Sequence, residues 1–126
     1  VYQKQYIGKL SAFCGAVSAS CAAGAGITYM GGGELSVIKK TIENTLANIR
    51  GISCDGAKIS CAAKIAASLD AAFLAHHLAM NGQSYAPYTG ILKEEAGETI
   101  SCVGQIGKEG MKETDKEILR IMLERV

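Results

Sequence analysis

Five cysteines, Cys14, Cys21, Cys54, Cys61 and Cys102, are the residues of this 126-residue chain best equipped for chemistry. A thiolate is both a nucleophile and a soft metal ligand. The spacing limits who can partner whom. Cys14 and Cys21 are seven apart, and so are Cys54 and Cys61. On a helix, seven residues are two turns on one face, with a rise of ~10 Å. A disulfide holds its Cα atoms at most about 7 Å apart, and the C-x2-4-C spacing of zinc sites is absent. At most one cysteine of each pair therefore serves a shared centre, and a cysteine without such a role is a small buried hydrophobe. Cys54 stands out by its neighbours. It precedes Asp55, which reads as a helix N-cap, and lies near Lys58, where a positive helix end favours thiolate.

Other polar residues offer less. Lys58 and Lys64 are the cations of the Ala-rich stretch after Asp55, six apart and so on different faces. Lys58 either binds an anion such as a substrate carboxylate or is solvated or paired, since lysine is almost never buried alone. Asp55 reads first as a cap and second as a participant in chemistry. Asn44 and Asn48, one turn apart, either line a site or face solvent. His76 and His77 are adjacent and so do not face each other on a helix; they read as structural. Gly31-Gly32-Gly33 has neither the preceding strand nor the GK[ST] of a phosphate loop.

The string Ile52-Ser53-Cys54-Asp55-Gly56-Ala57-Lys58-Ile59-Ser60-Cys61-Ala62-Ala63-Lys64 closely resembles the ICDGAKxGCAxK motif of the L-serine dehydratase alpha-chain-like family, in its L-cysteine desulfidase branch. Glu109 to Lys116 resembles that family's EGMxETDK segment. Gly15 to Gly33 is similar to its small-residue helix. The resemblance covers the C-terminal portion of such enzymes. It implies a lyase that works without pyridoxal phosphate. A [4Fe–4S] cluster on three cysteines would leave one iron open to substrate, and the reaction would eliminate sulfide from L-cysteine, or water from L-serine, giving pyruvate and ammonia. It further implies that Cys14 and Cys54 are two of the cluster ligands and that the third lies upstream of this chain. Cys21, Cys61 and Cys102 are then packing residues. Lys58, Asp55 and Asn48 are the candidates for contact with a small amino-acid substrate.

The elements that must position these residues are helices. Leu10 to Gly33 carries no charge, and its glycines interrupt any membrane span, which needs about 20 predominantly apolar residues. It reads as a buried helix over Ile7 to Ala23, continuing toward Met30. Small residues at Ser11, Gly15, Ala19 and Ala23 would admit a close neighbour. Glu34 to Arg50 is amphipathic, with Leu35, Ile38, Ile42, Leu46 and Ile49 at helical steps and Gly51 as its stop. Gly56 to Met80 is apolar on nearly all sides, as a central helix is. Gln83 to Lys93 is a loop, and Gly97 to Gly107 a short helix. Thr114 and Glu117 form a capping box for the last one. No alternating strand pattern occurs. The expectation is an all-α, compact bundle of Ala/Gly-rich helices around a central apolar helix, one domain over 1–126.

Composition excludes several classes. Thirteen Lys+Arg against twelve Asp+Glu leave +1, no footprint for nucleic acid or an anionic membrane. An apolar content of 48% excludes disorder. An odd cysteine count without a secretory pattern points to the cytoplasm. Val1 in place of an initiator Met reads as a fragment or a processed chain; the resemblance implies the C-terminal fragment of a longer enzyme, inactive alone, completed by its N-terminal portion and open to homo-oligomer formation. Its alternative is a non-catalytic helical packing or interaction domain.

Overall fold

The structure, a computed structural model, describes residues 11–124. Helix α1 spans Gly15–Met30, α2 Leu35–Ile49, α3 Ser60–Met80 and α4 Ala96–Gln105. A π-helical turn, Ile106–Gly110, leads into α5, Lys112–Leu123. The fold is an all-α bundle. Among the described residues the β-pairing is confined to one isolated antiparallel bridge, Phe13 with Ser53.

Helices α1, α2 and α3 pack on one another, and α4 packs on α2. The apolar centre is Phe13, Cys14, Val17, Cys21, Leu46 and Val103. It sits between α1, α2 and α4, so α3 is not the surrounded helix its composition suggests. Helix α3 buries one stripe of small side chains, Ser68, Ala72, Ala75 and Ala79. Its other sides leave Ile65, Phe73 and Leu74 about half exposed. Alanine is apolar enough to read as core yet too small to gather neighbours on every side.

Helix α1 starts later than its pattern suggests. Ser11 to Cys14 is not helical: the Ser11 hydroxyl accepts the Phe13 N–H at 3.1 Å, and Cys14 is the extended N-cap residue. The part of the expected helix before Ser11 lies outside the described residues. The close approach also falls elsewhere on the helix. Ala19 is exposed, whereas Gly24 is buried, and a Cβ there would meet Thr41 Cγ2 at 3.2 Å and Ala72 Cβ at 3.3 Å. Gly24 is thus where α1 touches both neighbours.

Polar residues stitch the three helices. The buried Thr28 hydroxyl donates to the Gly24 carbonyl at 2.9 Å. Thr41 Oγ1 and His76 Nδ1 lie each 2.8 Å from the same oxygen. Helix α1 ends in a Schellman turn: the Gly33 N–H donates to the Thr28 carbonyl, the Gly32 N–H to that of Tyr29, and Gly32 takes φ +83, which suits glycine. That closure is what the three glycines do. The Thr114 capping box does not form, because the π-helical turn feeds α5 directly and its N-cap is Met111.

Candidate functional site

The bridge between Phe13 and Ser53 organises the cysteines. The Cys14 N–H donates to the Ile52 carbonyl at 3.1 Å, and the Cys54 N–H donates to the Ala12 carbonyl. In this register Cys14 lies opposite Ile52, and Cys54 two residues along on the same face. Such diagonal neighbours have Cα atoms about 7–8 Å apart. That is shorter than the ~10 Å rise of two helical turns. Cys14 is buried in the apolar centre, and Cys54 packs against it while half exposed. Backbone pairing makes this approach.

The ground under the bridge comes from the π-helical turn that leads into the Glu109 to Lys116 motif. A Cβ on Gly107 would meet the Phe13 ring at 3.4 Å, so the π-helical turn lies flat against Phe13. Met111 packs on the same centre. π-Helical turns are over-represented at functional sites, and this one holds up the segment carrying Cys14.

Asp55 is not a helix cap. Helix α3 begins at Ser60 with Ile59 before it, so residues 54–59 form a loop and the helix dipole does not act on Cys54 directly. Gly56, with φ +93, turns this loop against α5, where its Cβ would touch Met122 at 3.2 Å. Asp55 instead binds two lysines: Oδ2 pairs with Lys58 and Oδ1 with Lys64 Nζ at 2.9 Å. Lys58 first, then Lys64, hold its carboxyl well below the usual carboxylate range. Lys64 Nζ also donates to the Ser53 carbonyl at 2.9 Å. Asp55 chiefly raises the Lys64 pKa, and the Cys14 and Cys61 thiols add to the effect. The two lysines thus meet on one carboxylate although six residues separate them, because Lys58 is in the loop and not on the helix.

The same loop changes the position of Cys61. Two helical turns do not separate it from Cys54, since only Ser60 precedes it on α3. Half exposed, its thiol donates to the Gly56 carbonyl at 3.6 Å, at the rim of the site. Cys21 is deep in the centre, and burial pushes its thiol up to about 12, so it stays protonated. Cys102, on α4, is half exposed.

Asn48 is on another side. It accepts the Tyr85 hydroxyl at 2.9 Å and lines a cleft with Arg50, Tyr85 and Thr89, with no cysteine in it. Asn44 is fully buried and pins the loop after α3. Its amide donates to the Gln83 carbonyl at 3.3 Å and accepts the Tyr85 N–H at 3.4 Å. Lys64 is the residue that sequence reasoning passed over; its place as the last residue of the motif was the available signal.

Two thiols on one face suit iron or a cluster in donor type. Among the described residues no three His, Cys, Asp or Glu side chains gather to hold a metal ion, so the set is one donor short of three. No helix among these residues is long and apolar enough to cross a membrane.

The family profile described as serine dehydratase alpha chain matches residues 1–120. A UPF0597 protein of Lachnoclostridium phytofermentans is 54% identical over 123 residues, 98% of this chain and 30% of its own length. A UPF0597 protein of Treponema denticola is 50% identical over 98% of this chain and 28% of its own length. One of Finegoldia magna is 51% identical over 97% of this chain and 29% of its own length. The chain therefore spans less than a third of the curated relatives it matches. No solved structure matches it.

Proposed function

The chain belongs to the serine dehydratase alpha chain family, and we propose that it is part of an iron–sulfur lyase that eliminates sulfide from L-cysteine, or water from L-serine, yielding pyruvate and ammonia. The observation that carries this reading is the bridge that turns Cys14 and Cys54 onto one face. These two thiolates are the proposed cluster ligands contributed by this chain. When bound, a [4Fe–4S] cluster with one open iron supplies Lewis acidity for the leaving group.

The chain's own part is to bind and to orient. Asp55 carries one negative charge between two ammonium groups, which leaves a surplus positive charge beside Cys54. Lys58 is exposed and among the described residues its ammonium pairs only with Asp55, so it can turn to a substrate carboxylate while Lys64 keeps the aspartate. No residue here is assigned as the base for the α-proton, and we place that group in the rest of the longer polypeptide.

The third thiolate comes from that remainder in this reading. Cys61 is the competing donor, because its thiol reaches the motif loop and influences Lys64 together with Cys14. A Cys61→Ser protein that still assembles a cluster keeps the third donor upstream; one that loses the cluster assigns the place to Cys61. The activity itself is tested by loading the full-length protein anaerobically with iron and sulfide and measuring pyruvate from L-cysteine and from L-serine. Cluster uptake without pyruvate from either would favour a packing or interaction role.

A further inference from the structure

Lys64 Nζ makes two hydrogen bonds, to the Ser53 carbonyl and to Asp55 Oδ1, both at 2.9 Å. Those are the residues immediately before and after Cys54. The side chain reaches back from the second turn of α3 and grips the loop on both sides of one cysteine. On the other side the Cys54 N–H is fixed to Ala12. Three attachments therefore surround a single residue in a loop that is otherwise mostly exposed.

We propose that Lys64 is a positioning residue, whose double grip on Ser53 and Asp55 holds the Cys54 thiol over that of Cys14. Without it the bridge still anchors Ser53 through Phe13, but among the described residues Asp55 is left to Lys58, which lies in the same loop. The grip needs a cation with at least two N–H donors at the end of a long stem. Arginine can supply that and methionine cannot. This role rests on the ligand assignment above only for its purpose; the geometry stands without a cluster.

The test uses the full-length protein before cluster loading and dibromobimane, which becomes fluorescent on bridging two neighbouring thiols. Peptide mass spectrometry locates the Cys14–Cys54 adduct. Wild type forms it; Lys64→Met forms it about tenfold more slowly, as loss of a charge-assisted hydrogen bond implies; Lys64→Arg restores most of the rate. Should Lys64→Met fail to fold, Asp55→Asn, which weakens one of the two anchors, gives an intermediate rate. Bridging at the wild-type rate in Lys64→Met, or in Asp55→Asn where that variant is used, overturns the proposal, as does Lys64→Arg behaving like Lys64→Met. Normal bridging in a wild type that takes up no cluster would end the lyase reading and leave the role of Lys64 intact.

Discussion

Cys14 and Cys54, forty residues apart in the chain, are diagonal neighbours across a single antiparallel bridge. The pairing is brief, yet its two hydrogen bonds fix the register, and register decides which side chains share a face. A slip of one residue would turn one thiol away from the other. The π-helical turn packs beneath Phe13, Lys64 bonds the Ser53 carbonyl, and α1 starts directly after Cys14, its N-cap.

The tight contact at Gly24 predicts that Gly24→Val is destabilising. Its side chain would press on Thr41 and Ala72, and overpacking of this kind costs about 1–3 kcal/mol. Gly26→Val, at a position with open space, is the control for helix propensity. Urea unfolding of the two variants checks this, and equal loss in both would mean that α1 does not approach its neighbours so closely.

Asn44 and Asn48 should behave differently. Asn44→Ala removes the bonds to the Gln83 carbonyl and the Tyr85 N–H, each worth about 0.5–1.5 kcal/mol. Asn48→Ala removes one exposed contact and should stay within about 0.5 kcal/mol. Comparable losses in unfolding experiments would contradict the assignment of Asn44 as the pin of that loop.

Burial of Cys21 makes stability depend on alkaline pH. Its pKa is raised in the folded state, to about 12, so the folded protein keeps a proton that the unfolded chain gives up. The contribution is complete below the unfolded thiol value and is lost as pH rises from there toward 12, at about 1.4 kcal/mol per unit. The pH dependence of unfolding between 9 and 11 should be flatter in Cys21→Ala than in wild type. Parallel curves would show that Cys21 is accessible to water.

The outward sides of α3 predict contact with the rest of the longer polypeptide. Relatives are more than three times the length matched, and the exposed Ile65 directly follows Lys64, whose side chain bonds the cysteine loop. In the full-length protein, a cysteine placed by Ala66→Cys should resist a water-soluble maleimide, whereas one placed by Lys116→Cys on α5 should react. Equal labelling, mapped by mass spectrometry, would leave that face open to solvent.

Much of this was legible in the residues. Periodicity and glycine placement located α2 and the C-terminal ends of α1 and α3, and the all-α class followed. The bridge was not legible, because Ala12-Phe13-Cys14 is too short to show alternation and runs into a helical pattern. The start of α3 departs from its pattern for a related reason: Asp55 has the chemistry of a cap, but two lysines compete for its carboxylate and the helix starts five residues later. In the site, the pairing of Cys14 with Cys54 rested on a resemblance. The convergence of Lys58 and Lys64 on Asp55 required the loop conformation, which no local pattern encodes.

Cluster content tests most directly whether Cys14 and Cys54 are ligands of one cluster. Full-length wild type, Cys14→Ala, Cys54→Ala and Cys102→Ala are reconstituted anaerobically, and iron, acid-labile sulfide and the reduced-state paramagnetic spectrum are recorded alongside pyruvate formation. A cluster and activity are expected in wild type and Cys102→Ala, and loss of both in Cys14→Ala and Cys54→Ala. A full cluster in either of the latter two, or equal loss in all three variants, would contradict it.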